Sequence, residues 1–208
     1  MLKIILVNLF LISSAYCYVD LKLEYTYSTR RVEAVDADGE LDADLGEAKS
    51  TTKGFSVNWA WYVWEYTAIE FNYAESEERI EDDRSATDGS ITINNQDSLV
   101  KTTTQGVGIR QSFANRKARI IPSISIGYAR YTTSGQTTYK LTDGGVAREI
   151  VLNRDKEVTN SSYASATLAF KITKLLRLTF SAKTIVPGFE IDKADKNVSY
   201  FGGLSWVF

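Results

Sequence analysis

The sequence predicts an all-β chain, an eight-stranded antiparallel transmembrane up-and-down β-barrel. Three observations predict it. Eight segments alternate apolar with small polar residues, the connections between them are short and long in strict alternation, and the chain ends on an aromatic strand, "NVSYFGGLSWVF". Mean hydropathy is only −0.19, and beyond the N-terminal segment no stretch nears the roughly 18 apolar residues of a membrane helix. The 12 Tyr, 9 Phe and 4 Trp against 2 Pro still make a β-prone composition, which has to be read by alternation and not by average.

Residues 1–17, "MLKIILVNLFLISSAYC", have the layout of a secretory signal peptide: one early cation at Lys3, an apolar stretch from Ile4 to Ile12, then small residues. The stretch is too short to span a bilayer as a helix. Cleavage is expected after Cys17, leaving 18–208 as the barrel. The alternatives are an apolar N-terminal strand and a lipoprotein signal, the latter disfavoured by the bulky Tyr16. Removal of Cys17 leaves no cysteine, which excludes disulfides and thiol catalysis from the mature chain.

Each strand follows from period-2 alternation, in which every second side chain shares a face. The first run sets Leu21, Leu23, Tyr25 and Tyr27 against Asp20, Lys22, Glu24 and Thr26. The second has Phe55, Val57, Trp59, Trp61 and Val63 on one face, and the third Thr67, Ile69, Phe71 and Tyr73. The fourth is weaker, with Val107, Ile109 and Phe113 beside Gln105 and Gln111. In the fifth, Ile120, Pro122, Ile124, Ile126 and Tyr128 oppose Ser123, Ser125, Gly127 and Ala129. The sixth carries Leu168, Phe170 and Ile172, the seventh Leu176, Leu178, Phe180 and Ala182, and the eighth Val198, Tyr200, Leu204, Trp206 and Phe208.

Half-apolar strands suit a soluble sandwich or barrel as well as a transmembrane barrel. The polar face separates them. A water-facing surface favours long charged side chains, whereas here that face is mostly Gly, Ser, Ala, Thr and Asn, which suits a narrow interior. Aromatics also gather near the ends of the apolar face, where girdles meet the two membrane interfaces. Connections 64–66, 114–117 and 173–175 are short and the others long, as when one barrel end carries tight turns and the other surface loops. Both termini then fall at the short-turn end, consistent with an even strand number.

On these runs the chain resembles the small eight-stranded bacterial outer-membrane β-barrel proteins, the group of the OmpA transmembrane domain and OmpX, over essentially its whole mature length. The last strand carries the most specific likeness. Phe208 preceded at alternate positions by Trp206, Leu204 and Tyr200 resembles the signal read by the barrel-assembly machinery, which the resemblance makes a partner during biogenesis. Gly202 departs from the pattern by interrupting the apolar face. The resemblance implies a bacterial outer-membrane location, periplasmic termini and extracellular loops; it does not fix a function.

With the apolar faces toward lipid, the lumen receives the acids Asp20, Glu24 and Glu70 and the bases Lys22, Arg110, Arg119, Lys171, Arg177 and Lys183. Such an interior is narrow enough to be filled by side chains, and charges in it must pair or keep water. One reading is a salt-bridged plug, with Glu70 and Arg110 on adjacent strands as members; the alternative is a cationic constriction in a narrow solute or ion channel. Connections 36–50, 75–98, 132–157 and 187–196 hold 21 acids and 9 bases, so the loop side is acidic and gives no reason to expect nucleic acid. Arg30, Arg31, Lys53, Lys101 and Arg130 form a basic collar where strands emerge, suited to lipopolysaccharide phosphates or to snorkelling at the edge of the apolar band.

The acid run Asp36–Asp44 is compatible with loose Ca²⁺ binding, but its spacing departs from the EF-hand pattern and a solvated loop explains it as well. Asp143-Gly144-Gly145 between β-prone arms predicts a hairpin that carries the fifth and sixth runs beyond the membrane, a ribbon open to contact with an extracellular protein. No cofactor is expected. The chain has no histidine, which removes Ser-His catalysis and histidine metal sites and predicts a non-enzymatic surface-interaction or structural role.

Overall fold

The computed structural model describes residues 18–33, 47–82, 86–88, 91–187 and 198–208; the expected signal peptide and the acid run Asp36–Asp44 lie outside them. The strands in chain order are β1 (Tyr18–Glu33), β2 (Glu47–Tyr62), β3 (Thr67–Asp82), β4 (Ala86–Asp88), β5 (Ile91–Ser112), β6 (Ile120–Asp143), β7 (Val146–Lys171), β8 (Leu176–Pro187) and β9 (Val198–Val207). All pair antiparallel with their neighbours, and the three-residue β4 pairs only with Ile91–Ile93 of β5, on the edge that β3 occupies further down. The staves therefore number eight. The ring closes because β1 pairs with both β2 and β9 while β3 pairs with β5.

Closure at the seam spans Asp20↔Val207 to Tyr25↔Gly202. Val19 and Phe208 extend it by exchanging two backbone hydrogen bonds, at 3.2 and 2.9 Å. Phe208 and the start of β1 thus lie at the end that carries the short turns 63–66, 113–119 and 172–175.

The alternation sorts the two faces as the sequence predicts. Leu23, Tyr25, Phe55, Phe71, Ile124, Leu168 and Phe180 point outward and are exposed, with Trp59 at 53% and Ile126 at 61%. Cross-strand rings meet there, Trp59 with Phe71 at 6.2 Å and Phe55 with Tyr73 at 6.3 Å. A soluble monomer rarely leaves a contiguous apolar patch of more than a few hundred Å²; a belt around every stave is stable only against lipid. Inside, Ser56, Ser123, Ser125, Ser165, Thr167, Thr179 and Ser205 are buried, small enough for the interior that eight strands enclose.

Two of the predicted connections prove to be largely strand. Residues 75–82 continue β3, and 132–157 belong almost wholly to β6 and β7, which run for 24 and 26 residues. About 9 to 11 tilted residues cross a bilayer, so β5, β6 and β7 stand well beyond it as a three-stranded blade. Above the membrane, water competes for every backbone group, and the blade is held by side chains that link strands: Arg79 with Asp97 at 3.0 Å, Ser98 with Thr137 at 3.0 Å and Asn94 with Thr142 at 2.9 Å. Its tip is the predicted hairpin, with Asp143 opposite Val146. Gly144 and Gly145 have φ of 55° and 85°, the double left-handed pair of a type I′ turn, which other residues adopt only at a cost.

The seam makes a testable contrast between adjacent glycines. A Cβ on Gly203 would sit 2.0 Å from the Leu23 carbonyl oxygen and 2.6 Å from Glu24 Cα, while one on Gly202 would meet nothing within 4 Å. Gly203→Val is expected to block closure and abolish the SDS-resistant folded band on unboiled gels after refolding into detergent. Gly202→Leu, which restores the outward apolar row, is expected to refold at least as well as the parent.

Candidate functional site in the barrel lumen

Alternate positions of β1, β3, β5 and β8 bring seven of the predicted charges into one buried interior: Asp20, Lys22, Glu24, Glu70, Arg110, Arg177 and Lys183, none more than 8% exposed. Arg110 is the hub of the lower layer. Its Nε donates to Glu70 Oε2 at 2.5 Å and its Nη1 to Asp20 Oδ2 at 3.2 Å. Ser125 donates to the same Glu70 oxygen at 3.0 Å, and Arg177 Nη1 lies 3.5 Å from Asp20 Oδ2. One guanidinium thereby bridges two strands that are not neighbours, through donors held in a rigid fork.

The next layer centres on Glu24. It accepts from Ser181 at 2.5 Å, Asn58 at 3.1 Å and Ser56 at 3.2 Å, and it faces Lys22 at 3.2 Å. Lys22 also donates to Thr167 and Ser181, each at 3.2 Å. Asn72 donates to Asn58 and accepts from Lys183, so the layer reaches across the barrel from β8 to β1. Lys183 Nζ lies 5.2 Å from the centre of the Tyr163 ring, within cation–π range.

Below the charges, toward the short-turn end, two aromatic rings lie in the lumen. Tyr18 and Tyr62 stack with ring centres 4.0 Å apart, packed with Ala60, Ala68 and Val207. The Tyr62 hydroxyl shares a 2.9 Å hydrogen bond with Ser112. From the β5–β6 turn, the Arg116 guanidinium lies 5.3 Å over the Tyr18 ring, and the Arg116 carbonyl accepts from Arg177 at 3.3 Å. Neither tyrosine nor Arg116 stood among the candidate residues. Parity was the available signal, since Tyr18 shares a face with Asp20, and Tyr62 with Asn58 and Ala60.

Two predicted lumen bases lie elsewhere. Arg119 is exposed in the turn; the alternation that assigns it inward begins only at Ile120, where β6 starts. Lys171 is on the inward parity of β7 but ends the strand, opposite Arg177 at the rim, and is only half-buried. The collar residues Lys53, Lys101 and Arg130 are exposed on the outer face. Arg30 and Arg31 fall opposite Ser50 and Lys49 in the ladder, and their side chains lie outside the described residues. In the last strand Tyr200 and Phe208 are exposed, with Leu204 and Trp206 half-exposed on the same outward row.

No family model matches the chain, and no curated protein matches it in sequence. Among solved structures it is similar to Ail, the attachment invasion locus protein of Yersinia pestis, solved in complex with the heparin analogue sucrose octasulfate, at TM-score 0.46 and 14% identity over 92% of this chain and 99% of that one. It is similar to the N-terminal β-barrel domain of Pseudomonas aeruginosa OprF at TM-score 0.46 and 10% identity, over 92% and 97% of the two chains. The outer membrane protein OprG from Pseudomonas aeruginosa aligns at TM-score 0.53 and 7% identity, over 92% and 96%. At such identity the likeness to OprG is one of fold, and the fold is that of a small eight-stranded outer-membrane β-barrel.

Proposed function

We propose that the chain is a non-enzymatic bacterial outer-membrane protein whose lumen is a closed plug and whose working part is the face its strands present outside the cell. The observation that carries this reading is the hub at Arg110, with Glu70 and Asp20 on opposite sides of one buried guanidinium. Opening a path there means separating buried ion pairs, which is costly. The short turns and termini are periplasmic on this reading and the blade is extracellular, available to lipopolysaccharide and to external proteins, with assembly through the last strand.

One observation favours the narrow channel instead. Asp20 Oδ1, Arg110 Nη2 and the hydroxyls of Tyr163, Thr179 and Ser205 are buried without a hydrogen-bond partner among the described residues. Buried polar atoms usually find protein or water, so these line the route that ions would take.

Planar-bilayer recording of the refolded chain separates the two. The plug predicts current at background for the parent and resolved openings for Glu70→Ala; a steady current from the parent sinks it, and silence from Glu70→Ala removes the gating role of the Glu70–Arg110 pair. Stability gives a second check by urea titration in micelles. Arg110→Met leaves Glu70 buried without its cation and is expected to cost about 3 kcal/mol or more. Adding Glu70→Leu is expected to recover part of that loss, because an apolar pair no longer strands a charge.

A further inference from the structure

We propose that the outer face of β5, β6 and β7 holds a binding site for the phosphate of an outer-leaflet glycolipid; this rests on the outer-membrane reading above. The site is a cleft of about 360 Å³ into which Lys101, Arg130 and Lys156 converge, with the hydroxyls of Thr103, Thr132 and Ser134 between them. The ladder explains the convergence. Lys101 lies opposite Ser134, Thr103 opposite Thr132, and Gln105 opposite Arg130, so the cations occupy two rows of one face. Lys156 joins them at the bulge where Thr133 and Gly135 break register against Glu157 and Arg154. No carboxylate lines the cleft, and neither Arg130 nor Lys156 has an acidic partner among the described residues; Lys101 is met by the exposed Glu77 at 3.6 Å.

Height on the barrel and the neighbouring surface identify the ligand. On β6 the outward apolar row runs Ile120, Pro122, Ile124, Ile126 and Tyr128, and Arg130 is the next outward residue. The cleft therefore opens at the upper edge of the belt, where headgroups lie. It adjoins a second cleft of about 530 Å³ that shares Lys101, Thr103 and Ser134 and reaches Tyr25 and Phe55 on the lipid-facing surface. Cations and hydroxyls that grade into aromatics fit an anionic head on an apolar tail better than a free anion. Glu75 and Glu77 line the second cleft, which directs the phosphate to the first. Lys156 comes from the long hairpin, so a bound headgroup would tie the base of the blade to the membrane.

The experiment uses the refolded full chain in nanodiscs and native mass spectrometry to count retained lipid, with bis-phosphorylated lipid A, dephosphorylated lipid A and sodium pyrophosphate as probes. The parent is expected to retain bis-phosphorylated lipid A at least tenfold more strongly than the dephosphorylated form. The triple variant Lys101→Ala/Arg130→Ala/Lys156→Ala is expected to lose that preference, while Lys117→Ala/Lys174→Ala in the short turns keeps it. Equal retention of both lipids, or an unchanged triple variant, overturns the site. Full displacement by pyrophosphate at equimolar concentration overturns the lipid as its source. Bilayer current is read on the same preparations, so a conducting parent that keeps the lipid preference fails the plug and not this site.

Discussion

Every backbone N–H and C=O inside a hydrocarbon layer must be paired within the protein, because no water is present to take its place. That constraint forces β1 to meet β9. The seam is the shortest stretch of pairing around the ring, and it is secured by small residues as much as by hydrogen bonds: Gly203 lies so close to Leu23 and Glu24 that no side chain fits. Closure with eight staves then sets the interior width, and the width sets what the inward faces can carry. Large inward residues are few, and Tyr163 is one of them. Its ring is accommodated because Gly106 and Gly108 on β5 and Gly127 on β6 leave their faces bare where it lies.

The same narrowness explains why the charges are layered. Each buried ion is expensive to desolvate and is tolerated where partners satisfy it. Asp20, Lys22 and Glu24 follow one another on the inward face of β1; Glu24 pairs with Lys22 one step along the strand, and Asp20 is met by bases from other strands. Arg110 and Arg177 approach Asp20 from β5 and β8, and Lys183 completes the next layer through Asn72 and Asn58. Neutral amides and hydroxyls fill the gaps between full charges. Charge network and barrel are therefore one arrangement seen from two sides: the ion pairs tie non-adjacent staves, and the wall holds the strands that present them.

Strand faces were legible because alternation is a local property, and each run of four or five residues reports its own orientation. That Glu70 and Arg110 both face inward from adjacent strands was legible for the same reason; their direct pairing was not, because the long connection 75–98 left the register open. Residues at strand ends were not. Arg119 lies one position outside β6, where parity has no meaning, and Tyr18 and Tyr62 lie where the runs fade into turns. The extension of β6 and β7 was legible from the Asp-Gly-Gly turn between β-prone arms, but that of β3 and β5 was hidden by composition: above the membrane neither face must be apolar, so charged and polar stretches such as 75–82 and 91–98 look like loop although pairing continues. Lys156 was missed because it lies in a stretch read as connection, although it shares the outward parity of Val158 and Leu168.

The blade leaves an exposed edge. Among the described residues β8 pairs with β7 only from Ser161 onward, so there Val146–Asn160 has no strand partner on its second side, and Val146, Ile150, Val151, Leu152 and Val158 are exposed. Such an edge invites a second copy to add to the sheet, yet its charges restrict this. In a two-fold antiparallel pair the residue on the axis faces itself, and opposing positions are equally spaced about it. An axis at 151 sets Arg148 against Arg154; at 152, Arg148 against Lys156 and Glu149 against Asp155; at 153, Glu149 against Glu157. At 154 and 155 an arginine or an aspartate meets its own copy. Like charges directly opposite destabilise a pair, so each of these five central registers carries a repulsion, whereas an axis at Ile150 sets no like charges opposite. Charge order therefore disfavours the most extensive self-pairings of this edge and leaves the shorter one about Ile150 unopposed.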